Sequence, residues 1–140
     1  MQKMWHLLLW LVVNIVFGFL QLIYDIANKA LRNIEFDTSP LILGGGLLFF
    51  SSGFVISVAF DRWVMDHQST NKILFTFKHI IIPFFLILAI IMIYSTSVNL
   101  PKNITPQDSK IILISLYNAN VSVLIGSIIY GIYSKYEQLT

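Results

Sequence analysis

The chain has 140 residues, of which 56% are hydrophobic and 11% are charged, and its mean hydropathy is +0.76. A soluble domain carries about twice that charged fraction, so the composition indicates an integral membrane protein. Nine Lys and Arg against seven Asp and Glu are too few and too dispersed for a nucleic-acid footprint. The absence of cysteine excludes disulfides, thiolate catalysis and Cys-ligated metals. We expect no direct nucleic-acid partner, no metal and no cofactor.

Four apolar segments predict an all-α, polytopic membrane protein, folded as a single bundle of four transmembrane helices. They cover about 4–35, 40–63, 71–97 and 106–136, and each is long enough to cross a hydrocarbon core of roughly 30 Å. Ser39–Pro40 and Thr105–Pro106 are typical helix starts, and Pro83 predicts a bend in the third helix. We expect the first and fourth helices to extend past the hydrocarbon.

A polar seam follows the first segment. Its members are Asn14, Gly18, Gln21, Asp25, Asn28 and Arg32. On one continuous helix these spacings of three and four residues form a narrow stripe. Amides in hydrocarbon need partners, and Asn118 and Asn120 of the fourth segment are the natural ones. Packing between helices is the simpler interpretation of the seam, and a conduction path is the alternative.

Small residues recur on the second and fourth segments and predict close packing of helices. In the second segment they are Gly45, Gly46, Ser52 and Gly53, and in the fourth they are Ala119, Ser122, Gly126, Ser127 and Gly131. We expect the first and fourth helices to take inner positions in the bundle or in a homo-oligomer.

The segment 61–79 carries the largest cluster of charge, and we expect it to be the docking surface for a partner. The docking residues are Asp61, Arg62, Trp63, Asp66, His67 and Lys72. Within this segment, Ser69 or Thr70 is the expected cap of the third helix.

The sequence carries no catalytic constellation. All its carboxylates lie at predicted helix ends or in loops, and neither the His-x-x-x-His nor the Gly-x-Ser-x-Gly pattern is present. In gross plan the chain resembles several groups of small four-helix bacterial membrane proteins. They include toxin-immunity proteins and membrane subunits of anti-phage defence systems such as Kiwa. That resemblance rests on topology alone, so no residue role is carried over from it.

These patterns favour a non-enzymatic integral membrane protein that self-associates and serves as a membrane anchor or sensor for a soluble cytosolic protein, with bacterial anti-phage defence as one setting. Two alternatives stay open: a small oligomeric channel or pore lined by the polar seam, and an immunity protein against a pore-forming toxin. We expect a bacterial inner (cytoplasmic) membrane with both termini cytoplasmic, although Lys and Arg divide five to four between its two sides.

Overall fold

The computed structural model describes residues 2–33, 45–65, 71–100, 103 and 105–140. Its helices are α1 (Gln2–Gly18), α2 (Leu20–Leu31), α3 (Gly46–Met65), α4 (Lys72–Val98) and α5 (Pro106–Leu139). Within α4, the residues Phe77–Ile81 form a π-helical turn. The described part of the chain contains no strand, which confirms the all-helical prediction.

Three of these helices, α3, α4 and α5, are long and apolar enough to cross a membrane. They indicate an integral membrane protein. The helix α1 is apolar but shorter, with 17 residues, so it spans only about 26 Å at 1.5 Å per residue. A count of four spanning helices therefore stays a prediction.

The predicted first helix, 4–35, is divided in two at Phe19. The backbone there leaves the α conformation, with φ −95° and ψ 7°, directly after Gly18, whose lack of a Cβ gives it a low helix propensity. Backbone hydrogen bonds from Phe19 N to Ile15 O and from Ile23 N to Phe19 O, each 2.9 Å long, carry the chain across the break. The backbone is therefore distorted at Phe19, while helical hydrogen bonds continue on both sides of it.

The start predicted for the second helix, near 40, lies outside the described residues, and α3 is described from Gly46. Gly45 precedes it with φ +76°, and a Cβ there would come within 2.9 Å of the Tyr94 ring. Gly45 is therefore a turn residue beside α4 rather than a position inside a helix.

Two helix caps follow local side-chain chemistry. Thr105 caps α5 as predicted, since its hydroxyl oxygen accepts from Asp108 N at 3.2 Å and Pro106 occupies the first turn. The cap of α4 is Asn71, whose side-chain oxygen accepts from Leu74 N at 3.2 Å. The prediction that Ser69 or Thr70 caps this helix is therefore wrong, because the cap lies one residue after Thr70.

Side-chain contacts fix the directions of the helices. Trp10 lies beside Phe54 and Phe19 beside Phe50, so α1 runs antiparallel to α3. The buried core consists of Phe54, Val55, Val58 and Tyr130, with Trp10, Phe50, Leu86 and Ile87 packed around it.

The helix α3 is the most enclosed of the three long helices, with 39% of its apolar window buried, against 22% in α5 and 17% in α4. Within this chain, α3 therefore takes the inner position that we expected for the first and fourth predicted helices. The most apolar of the three, α4, is the least buried within the chain.

Gly131 lies where α5 packs most closely. A Cβ at this position would come within 2.5 Å of the Phe54 ring and 3.4 Å of Trp10 Cη2. Because Phe54 is itself buried in the core, its ring has little room to move away. A Cβ at Gly126, on the same helix, would make only an ordinary 3.6 Å contact with Leu86.

We expect Gly131→Ala to lower the free energy of unfolding by about 1–3 kcal/mol, because the added methyl overpacks the Phe54 contact. Gly126→Ala is the matched control and should be neutral or up to about 1 kcal/mol more stable, since alanine favours the helix. Unfolding of the detergent-solubilised protein by titration with dodecyl sulfate measures both. Equal stability of the two variants would contradict the close packing at Gly131.

Candidate functional site

Charged and polar side chains from three helices meet at one end of the molecule. We call this group the Glu137 cluster; it consists of Arg62 from α3, Lys78 and His79 from α4, and Tyr130 and Glu137 from α5.

The Glu137 carboxylate is the centre of the cluster. Its Oε1 accepts from Lys78 Nζ at 2.7 Å, and its Oε2 lies 3.2 Å from both Arg62 Nη2 and His79 Nε2. The Arg62 side chain is only 8% exposed, while that of Glu137 is 31% exposed. Because a buried guanidinium without a counter-charge is costly, Glu137 is what allows Arg62 to lie between the helices.

His79 sits deeper, with 1% of its side chain exposed. Its Nε2 lies 3.4 Å from Arg62 Nε and 3.2 Å from Glu137 Oε2. An unprotonated Nε2 accepts from Arg62, whereas a protonated Nε2 donates to Glu137, so these contacts belong to alternative positions of the proton. The Tyr130 hydroxyl, 3.3 Å from Nδ1, can donate or accept and therefore suits either position.

The cluster lies near the ends of α3 and α5 rather than at the middle of these helices. Arg62 is three residues before the end of α3 and Glu137 two residues before the end of α5. At 1.5 Å per residue both lie within about 5 Å of their helix ends. The cluster therefore joins the ends of α3, α4 and α5 where charge is tolerated.

The distortion expected at Pro83 is present as the π-helical turn that ends directly before Ile82. Proline lacks the N–H that would otherwise donate to the carbonyl of His79, four residues earlier. The indole Nε1 of Trp63 instead donates to that carbonyl at 2.7 Å. A side chain of α3 therefore supplies a hydrogen bond that the proline denies to α4.

Among the described residues, the contacts of Glu137 join α5 to α3 and α4, so the cluster acts first as a clamp. The described residues contain no group of three His, Cys, Asp or Glu side chains that could hold a metal ion.

The predicted docking residues are placed differently from one another. Arg62 is buried in the cluster. The Trp63 indole donates a hydrogen bond to the His79 carbonyl of α4, and Trp63 is 44% exposed. Asp61 lines a cleft between α3 and α5, whereas Lys72 is exposed at the start of α4. Asp66 and His67 lie outside the described residues, and docking itself stays a prediction.

The polar seam is described only in part, because the side chains of Gly18, Gln21 and Asp25 lie outside the described set. The Asn14 amide donates to Trp10 O at 2.8 Å, and the buried Asn120 amide donates to Leu116 O at 2.8 Å. Each bonds its own helix, and among the described residues neither bonds the other.

The other seam residues lie nearer the surface. Asn28 is half-buried, while Arg32 and Asn118 are exposed. Asn120 Oδ1 is buried and has no hydrogen-bond partner in the described part of the chain.

The remaining small residues divide by helix face. Ser127 is buried and its hydroxyl donates to Val123 O, while Ser122 is exposed and donates to Asn118 O. The Ser52 hydroxyl donates to Phe49 O, and Ala119 borders an apolar groove between α4 and α5. Gly46 and Gly53 are exposed on α3, and nothing lies within 4 Å of a Cβ built at Gly53.

Sequence reasoning missed Glu137 and Tyr130. The available signal was electrostatic: Arg62 lies within an apolar helix close to its end, so a carboxylate from another segment had to meet it. Asp61, Asp66 and Glu137 all lie near that end of the predicted bundle. The sequence does not rank them, because the choice depends on how α3 and α5 face each other.

The fold and the Glu137 cluster define an all-helical integral membrane protein whose long helices are tied together at one membrane face. Comparisons with family models, curated proteins and solved structures gave no match to this chain. Its function is therefore argued from its own residues.

We expect Glu137→Gln to lower the free energy of unfolding by about 1–3 kcal/mol, because it removes the carboxylate charge that pairs with the buried Arg62 and with Lys78. Lys78→Met should cost less, since Lys78 is more exposed than Arg62. The double variant Arg62→Met with Glu137→Gln should be more stable than the sum of the single losses predicts. Lys110→Met, at an exposed position on α5, is the control, and strict additivity would argue against the clamp.

We expect Trp63→Phe to cost about 1–3 kcal/mol, because it leaves the His79 carbonyl without its donor. In a Pro83→Ala background the new backbone N–H is available to that carbonyl, so the same substitution should cost less than half as much. Trp5→Phe makes the same chemical change at an exposed position and serves as control. If Trp63→Phe costs the same in both backgrounds, the indole does not replace the backbone donor that Pro83 lacks, and this interpretation is wrong.

Proposed function

We propose that this chain is a non-enzymatic integral membrane protein that self-associates and serves as a membrane anchor or sensor for a soluble cytosolic protein. Its membrane is the bacterial inner membrane, its four apolar segments form the bundle, and both termini face the cytoplasm. Anti-phage defence is one setting for such a protein.

The outward face of α3 is the observation that carries self-association. Gly46, Phe49, Gly53, Ile56 and Phe60 recur at helical spacing on this face and are all exposed. Gly53 gives up helix propensity there, and a Cβ built on it meets no described residue of its own chain within 4 Å. In membranes such small residues allow two helices to approach closely, and a second copy of the chain supplies the second helix.

The placement of charge supports a partner at the end of the molecule that carries the Glu137 cluster. Four further ionisable side chains at this end, Lys3, Asp61, Lys72 and Lys135, are exposed or half-buried. The cluster holds Arg62 and Glu137 inside, so contact with a soluble protein falls to the residues around them. A partner bound there would sense changes in how the three helix ends are held together.

We expect Gly53→Leu to lower the oligomeric state, because the added side chain separates the α3 faces of two copies, while a Cβ at Gly53 meets no described residue of its own chain within 4 Å. Ser122→Leu adds similar bulk at an exposed position on α5 and should leave association unchanged. Light scattering in detergent gives the mass of the complex, and circular dichroism checks that each variant is folded.

A parent chain that is monomeric at all detergent ratios would overturn self-association, and dissociation by Ser122→Leu alone would move the interface to α5. Affinity purification from gently solubilised membranes tests the partner in the same variants. We expect Lys72→Glu to lose a co-purifying soluble protein and Lys110→Glu to retain it. Ion flux in planar bilayers that Asn14→Leu abolishes would favour the channel instead.

A further inference from the structure

A polar cleft of about 210 Å³ opens between α1, α3 and α5, at the end that carries the Glu137 cluster. Asp61 and Arg62 border it from α3, Ser134, Lys135 and Gln138 from α5, and Trp10 from α1. The cleft is smaller than the roughly 300–1,000 Å³ of pockets for drug-sized ligands. It suits a polar group of a few heavy atoms.

A buried hydroxyl in the cleft wall has no partner. Ser134 is 0% exposed, and its Oγ makes no hydrogen bond in the described part of the chain. The buried hydroxyls of Ser51 and Ser127, by contrast, each donate to a carbonyl of their own helix. A buried hydroxyl without a partner is costly. The Ser134 hydroxyl therefore indicates a bound group that supplies the missing hydrogen bond.

Two opposite charges in the cleft are also left without counter-charges. Asp61 is half-buried and makes no ion pair with any described residue. Lys135 Nζ donates to the neutral Gln138 Oε1 at 2.7 Å and lies 5.9 Å from the centre of the Trp10 ring. A carboxylate on one wall and an ammonium on the other, not paired with each other, match a ligand that carries both signs of charge.

We propose that this cleft binds a phosphoethanolamine group, with a phospholipid of the surrounding bilayer as its source. The primary ammonium of the ligand donates to Asp61, and its phosphate accepts from Lys135 and from the Ser134 hydroxyl. Arg62 adds a second positive charge to the border of the cleft. Trp10 lies beside Lys135, where an indole suits the level of lipid head groups.

This chemistry predicts selectivity among lipids. A choline head group has no N–H to donate to Asp61, so it loses a charge-assisted hydrogen bond. A phosphatidylglycerol head group supplies the phosphate but places no cation against Asp61. We therefore expect the full-length chain to prefer phosphatidylethanolamine to both.

Native mass spectrometry of the detergent-solubilised full chain, titrated with dioleoyl lipids of the three classes, measures these affinities. We expect binding of phosphatidylethanolamine to be about tenfold tighter than that of phosphatidylcholine, the value of one hydrogen bond to a charged group. Asp61→Asn should remove this preference. Lys135→Gln should weaken the binding of phosphatidylethanolamine and of phosphatidylglycerol to the same extent. Lys135→Arg should restore much of the loss, and Lys110→Gln, far from the cleft, should change nothing.

Soluble phosphoethanolamine, added as a competitor, distinguishes the two sources of the group. If soluble phosphoethanolamine displaces the lipid only at a large excess, the lipid is supported as the source. If it displaces the lipid at equal concentration, the lipid is overturned as the source. Equal affinity of the parent chain for phosphatidylethanolamine and phosphatidylcholine, or an unchanged preference in a folded Asp61→Asn variant, would overturn the proposal. Both outcomes are independent of whether the chain self-associates.

Discussion

The pairing of Glu137 with Arg62 and Lys78 is the interaction on which the arrangement of the long helices depends. Apolar helices in hydrocarbon gain little by exchanging lipid for one another, so a charge that must be paired fixes their relative positions more strictly than apolar contact does. One carboxylate meets cations from two other helices. The ends of α3, α4 and α5 are thereby held in register at one membrane face.

His79 connects this clamp to the distortion of α4. Its ring bonds within the Glu137 cluster, while its backbone carbonyl accepts from Trp63. Both contacts are made by a residue within the π-helical turn Phe77–Ile81. Pro83 and the cluster thus act on the same turn, one by removing a backbone donor and the other by holding the ring.

The sequence predicted what depends on local chemistry and composition. The extents of α4 and α5, the Thr105 cap and the distortion before Pro83 all follow from a few adjacent residues. The break at Phe19 did not follow, because a single glycine is often accommodated inside a helix and the Phe19 contact with Phe50 is made across the bundle. The choice of Glu137 over Asp61 as the partner of Arg62 likewise depends on the rotation of α5 against α3.

The proposed cleft is a consequence of how the clamp distributes charge. Arg62 contacts the Glu137 carboxylate and also borders the cleft, so two cationic side chains, Arg62 and Lys135, lie on the border of the cleft. A phosphate at the level of the lipid head groups would be attracted to them. Asp61 then faces the opposite end of the same ligand, and that position favours a head group carrying an ammonium over one that is only anionic.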